Sequence, residues 1–151
     1  CEKTTYNVLP YKYEAGTPNY VGSYAFGKAI DYLQEIGLKK IAEYEDELAK
    51  YLEMQLAELS NLRIYAKGQK KAGAVSFNVY REDGALIHPF DVGVLLDRQG
   101  VAVRTGHHCA EPLIDYLGVP GTVRASVGMY NTKEDIDTFV AALKKAIMML
   151  E

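Results

Sequence analysis

The feature that most constrains this chain is a change of hydrophobic period near Leu62. From Tyr20 to Ile36 apolar residues recur every three or four positions (Val21, Tyr24, Ala25, Ala29, Tyr32, Leu33, Ile36). That spacing predicts an amphipathic helix, with Gly37 as its stop. A longer helix follows, with Ile41, Tyr44, Leu48, Tyr51, Leu52 and Leu59 on one face and Glu43, Asp46, Glu47, Lys50 and Glu53 on a solvated one. Beyond it the period becomes two. Leu62 to Tyr65 and Ala74 to Val79 read as strands, with Val75, Phe77 and Val79 sharing a face and the polar Lys67–Lys71 loop between them as a solvated tip. Asp91 is the expected N-cap of a short helix over Val92, Leu95 and Leu96 that runs to Gly100. Val101-Ala102-Val103 reads as a strand, Pro112 to Leu117 as a small helix, and Thr122 to Val127 as a further strand. Thr132 and Asp135 approximate a capping box ahead of a last helix with its stripe on Ile136, Phe139, Val140, Leu143, Ile147 and Leu150. Helices followed by strands mixed with helices predict an α+β fold: a small, mostly antiparallel sheet covered by helices.

Residues 1–19 show no helical period. This lead-in is rich in Tyr (Tyr6, Tyr11, Tyr13) and closes on the turn cluster Glu14-Ala15-Gly16-Thr17-Pro18-Asn19. A segment so aromatic is expected to pack on a surface. The chain opens at Cys1 rather than Met, and its start reads like the middle of a longer protein.

Composition narrows the function classes. With 48% hydrophobic and 25% charged residues, the 151-residue chain has material for a core. Seventeen Lys and Arg against twenty Asp and Glu give a net charge of −3, with no basic surplus for nucleic-acid phosphates. No apolar run approaches a membrane span. Two cysteines, Cys1 and Cys109, cannot build a disulfide framework, so a reducing, cytoplasmic setting is expected.

The densest polar cluster is Arg104-Thr105-Gly106-His107-His108-Cys109, directly after an apolar stretch. Neighbouring positive charge or imidazole favours the thiolate, the nucleophilic form of cysteine. Cys109 is therefore a candidate nucleophile, against the plainer reading of a small buried hydrophobe. His107, His108 and Cys109 are also three soft zinc ligands. Their adjacency suits a single ion poorly, and Cys1 and His88 add no recognisable spacing. Arg124, between Val123 and Ala125, either points to solvent or grips a carboxylate with its planar fork. Gly16-Thr17, just before a helix, is by itself weak evidence for an anion-binding turn.

Taken together, Glu14 to Asn19, His88-Pro89 with Asp91-Val92-Gly93, the string Arg104 to Ala110 (RTGHHCA), Arg124-Ala125-Ser126 and Tyr130-Asn131-Thr132 occur in the order of one family. The chain resembles the C-terminal part of a SufS-type cysteine desulfurase, in the class V group of pyridoxal-phosphate (PLP) enzymes. The resemblance spans essentially all 151 residues, and RTGHHCA is its specific part. Phe90 departs from it, standing where a His is expected.

The resemblance implies that residues 1–19 lead in from a large domain and carry the cofactor-phosphate turn, with a small C-terminal domain over 20–151. It implies that Cys109 takes sulfur from L-cysteine as a persulfide, releasing alanine. By the same resemblance, Arg124 is expected to anchor the substrate carboxylate, and Arg104 and His107 to meet the substrate as well. The resemblance also implies that Gly16 and Thr17 reach the PLP phosphate of the partner subunit in a homodimer, and that a sulfur-acceptor protein feeds iron–sulfur cluster assembly. The PLP-bearing lysine of the family sits in a His-Lys pair, and no such pair occurs in this sequence. The 151 residues alone are therefore expected to be inactive. A selenocysteine lyase or other class V relative, or a non-catalytic binding module, are the alternatives.

Overall fold

Helix α1 (Tyr20–Ile36) begins where Asn19 turns its side chain back to accept from the Gly22 N–H at 2.9 Å. It ends at Gly37, whose φ of 97° only glycine adopts freely and whose N–H closes on the Leu33 carbonyl at 3.0 Å. A computed structural model describes residues 3–151, in two compact units that divide after Leu38. The first unit holds a 3₁₀ turn (Tyr11–Tyr13) and α1, and α1 buries none of its residues. Tyr6, Tyr13, Val21 and Tyr24 are all exposed.

The second unit carries the sheet. Strands β1 (Leu62–Ile64), β2 (Ala74–Val79), β3 (Arg104–Gly106) and β4 (Thr122–Ser126) pair in the order β1-β2-β4-β3, every pairing antiparallel. Around them lie α2 (Leu38–Ala57), α3 (Pro89–Asp97), α4 (Glu111–Leu117) and α5 (Lys133–Leu150). Together these elements make the expected α+β fold.

Alternation divides the sheet into two unlike faces. Val75 and Phe77 of β2 lie opposite Ala125 and Val123 of β4. With Val79 they form one buried cluster with Leu48, Leu52 and Leu56 of α2, Val92 and Leu96 of α3, and Phe139, Val140 and Leu143 of α5. Burying each Val, Leu or Phe side chain among them contributes about 1.5–3 kcal/mol. The intervening positions are polar: Ser76 and Asn78 on β2, Thr122, Arg124 and Ser126 on β4, Arg104 on β3.

Four local expectations are corrected. The α3 cap is His88, whose Nδ1 accepts from the Phe90 N–H at 3.3 Å, with Pro89 at the first position; Asp91 sits inside the first turn. The strand expected at Val101–Val103 lies three residues later, at Arg104–Gly106, because the ladder forms where β4 offers partners. Leu59 falls beyond the end of α2 yet still packs on the core. The Lys67–Lys71 loop is no free tip. Lys71 Nζ donates to Glu53 Oε2 and to the Ala66 carbonyl, Glu53 Oε1 accepts from the Gly68 N–H at 2.6 Å, and Lys71's side chain is only 10% exposed. The capping box of α5 is present as expected, on Thr132 and Asp135.

Candidate active site

Strand β4 is the spine of the polar face, and Arg124 stands at its centre. Ser76 of β2 lies directly across from Arg124 on one side and Arg104 of β3 on the other. Directly opposed residues of an antiparallel pair share a face, and like charges so placed repel. Two arginines held in this register form a site that an anion would stabilise. Arg124 is half-buried, and its Nε is buried without a hydrogen-bond partner among the described residues. A buried donor left unpaired is costly, so this fork is built to receive an acceptor.

After β3 the chain turns sharply. The Ala110 N–H donates to the His107 carbonyl at 2.9 Å, closing a four-residue turn with His108 and Cys109 at its centre. Their φ angles are 57° and 59°. Positive φ at both central residues is the type I′ pattern, which Asn-Gly fills without strain and His-Cys does not. Such a backbone persists only where the surrounding structure enforces it.

Two contacts hold this turn to the sheet. Arg104 Nη2 donates to Cys109 Sγ at 3.4 Å, and the thiol is exposed. His108 Nε2 lies 2.9 Å from Thr122 Oγ1 and 3.2 Å from the Thr122 carbonyl. A carbonyl only accepts, so Nε2 carries the proton and donates, which leaves Nδ1 unprotonated in the neutral ring. Nδ1 is buried and has no partner among the described residues. Burial holds His108 below the usual histidine range; the bond to Thr122 opposes this, and Arg124, Arg104 and His107 add to it. Beneath the turn, Gly121 stacks on Gly106 so closely that a Cβ on Gly121 would lie 2.9 Å from the Gly106 Cα. Asn78, fully buried, donates to the Gly121 carbonyl at 3.0 Å and fixes that crossing.

The structure thus brings Cys109, Arg104 and Arg124 together on one sheet face. His107, expected beside the substrate, is exposed over the start of α4, its Nδ1 3.9 Å from Glu111 Oε1. Gly16 and Thr17 belong to the first unit. They are exposed and enter no hydrogen bond among the described residues. Cys1 lies outside the described residues, and among those described no three His, Cys, Asp or Glu side chains gather as a metal site. No helix among them is long and apolar enough to cross a membrane. Sequence reasoning missed Thr122 and Asn78. The polar residue within the β2 alternation was a signal for Asn78; nothing local marked Thr122 as the anchor of a histidine fourteen residues away.

Comparison with known proteins matches the aminotransferase class-V family model over residues 1–139. A probable cysteine desulfurase of Halalkalibacterium halodurans is 49% identical over 142 residues, covering 94% of this chain and 34% of the relative. A cysteine desulfurase of Yersinia pseudotuberculosis is 43% identical over 147 residues, 97% of this chain and 35% of that protein. Among solved structures, a cysteine desulfurase from Thermococcus onnurineus superposes with a TM-score of 0.83 at 40% identity over 93% of this chain and 34% of its own. One from Escherichia coli gives 0.82 at 36% identity, over 94% and 34%. The chain spans about a third of the length of these relatives.

Proposed function

The chain belongs to the aminotransferase class-V family, and from that premise we propose that it is the nucleophile-bearing C-terminal portion of a SufS-type cysteine desulfurase. On this reading residues 1–19 lead in from a large domain, and the following residues form the small domain. The observation that carries the proposal is Cys109, exposed in a left-handed turn with the Arg104 guanidinium on its sulfur. The guanidinium places a positive charge directly at the sulfur that would attack the substrate.

The substrate is L-cysteine. Arg124, with its unpaired buried Nε, takes the substrate carboxylate, and Arg104 opposite adds the second positive charge. This clamp aims the substrate thiol at the turn, where orientation lowers the barrier. Cys109 Sγ attacks the substrate sulfur. The new sulfur–sulfur bond forms as the carbon–sulfur bond breaks, the electron pair stays with the carbon skeleton, and protonation there gives alanine. Since His108 is committed to Thr122, His107 is the histidine left to face substrate.

The residues fit one part of the implied cofactor. Gly16 and Thr17 offer two backbone N–H groups and a hydroxyl with no internal partner, a donor set for the PLP phosphate of a partner subunit in a homodimer. When bound, PLP supplies the electron sink that loosens the carbon–sulfur bond. Its lysine anchor lies in the other two-thirds of the parent, because this sequence has no His-Lys pair. The Cys109 persulfide then passes to a sulfur-acceptor protein serving iron–sulfur cluster assembly in the cytoplasm.

The test uses the full-length protein loaded with PLP. After L-cysteine, intact mass spectrometry should find one added sulfur atom on Cys109, lost in Cys109→Ser. An unmodified Cys109 under turnover overturns the proposal. The 151-residue chain alone should release no alanine from PLP and cysteine, and measurable alanine contradicts that assignment.

A further inference from the structure

Nothing yet explains why a reactive cysteine sits in a turn that its own backbone disfavours. Left-handed backbone is disfavoured at every non-glycine residue, and His108 and Cys109 adopt it consecutively. The turn's own bond, Ala110 N–H to the His107 carbonyl, closes the loop without deciding where its tip points. The tip is fixed to the sheet by His108, through Thr122.

We infer that His108 and Thr122 form a positioning clamp for the nucleophile, holding the His107–Ala110 turn so that Cys109 Sγ stays at the Arg104 guanidinium. Thr122 is suited to this as no neighbour is. It is 2% exposed, rigid on the central strand, and offers two acceptors to one imidazole N–H, its hydroxyl oxygen at 2.9 Å and its carbonyl at 3.2 Å. It is also the register partner of Gly106, so the anchor is tied to the residue from which the turn departs. Below, Asn78 donates to the Gly121 carbonyl, where Gly121 packs closely on Gly106 at the start of the turn. The clamp needs an unprotonated Nδ1, because that nitrogen is buried with no acceptor to receive a proton. The arginines at positions 104 and 124 and the His107 ring act in the same direction, since each disfavours a charged His108.

This clamp deepens the proposed desulfurase reading and rests on it for its catalytic consequence, but its geometry can be tested without turnover. In the PLP-loaded full-length protein, Thr122→Val keeps the β-branched shape of the strand residue and removes the hydroxyl, while His108→Asn tolerates left-handed φ and cannot reach Thr122. Losing a hydrogen bond of this kind should slow kcat roughly five- to tenfold. KM should change less than about twofold, because Arg124 is untouched. Thr122→Ser should restore kcat. Independently of turnover, iodoacetamide should alkylate Cys109 more slowly at neutral pH in both Thr122→Val and His108→Asn, as the sulfur leaves the guanidinium, and at the normal rate in Thr122→Ser. Unchanged alkylation in both variants overturns the clamp, as does a parallel rise in KM that Thr122→Ser fails to rescue. If the unmodified protein forms no persulfide while alkylation still responds to Thr122, the desulfurase reading fails and the clamp stands.

Discussion

Phe77 and Ser76 are neighbours on one strand and serve opposite ends. The face bearing Val75, Phe77, Val123 and Ala125 is buried under three helices, and every residue on it is chosen for volume. The face bearing Ser76, Asn78, Thr122, Arg124 and Arg104 is chosen for charge and hydrogen bonding, and it opposes two arginines at one register position. The first face holds the domain together. The second carries unpaired donors and like charges that a stability optimum would remove, which is what a binding face looks like before its ligand arrives. The contrast teaches that one alternating strand can separate stability from function with a spacing of a single residue.

The largest effect should come from the buried face. Phe77→Ala, at a fully buried ring tilted against Phe139, should lower unfolding free energy by about 3–5 kcal/mol, measured by urea titration. A loss under about 1 kcal/mol would mean that the two faces are less unequal than their burial implies. Across the strand pair, Arg124→Ala should act in the other sense. Loss of the carboxylate clamp should cost roughly a hundredfold in kcat/KM, about 3 kcal/mol. The urea midpoint should stay or rise slightly, since the opposed Arg104 loses a like-charged partner. A fall in stability as large as that of Phe77→Ala would erase the distinction.

A smaller change tests the crossing beneath the turn. Gly121→Ala places a Cβ 2.9 Å from the Gly106 Cα at a φ of 155°, and overpacking of this kind costs about 1–3 kcal/mol. Its signature should be slower Cys109 alkylation along with the lower urea midpoint. The smallest effect is a pH slope. The folded state holds His108 below its ordinary value, so between that value near 6.5 and the lower folded one the unfolded chain binds more protons. Stability is therefore full above about pH 7 and declines as pH falls through that window. Urea midpoints between about pH 8 and pH 5 should show the decline, and His108→Asn should flatten it. Equal slopes in both proteins would remove His108 as the cause.

Much of this was legible in the chain. Helix α5 announced itself through its stripe and its Thr132–Asp135 box, and α1 through its stripe and its Gly37 stop, because caps and periodicity are local properties. Yet α5 buries seven residues and α1 buries none, although both carry apolar stripes; a stripe states that a face can be covered, not what covers it. The run Val101–Val103 looked like the strand because it is apolar, but pairing depends on where β4 presents partners, and that fell to Arg104–Gly106.

By itself, then, the sequence determined the α+β layering, the Gly37 stop of α1, the capping box of α5, and the cluster from Arg104 to Cys109, all set by residue types within one or two turns of chain. Only the tertiary structure decided that Arg104 and Arg124 stand opposite each other, that His108 rather than His107 is spent on Thr122, and that Cys109 sits in a left-handed turn. Those outcomes depend on strand register and on contacts between residues distant in sequence. Register converts separations along the chain into distances of a few ångströms, and it is settled by which faces of paired strands the core buries, not by one strand's residues alone.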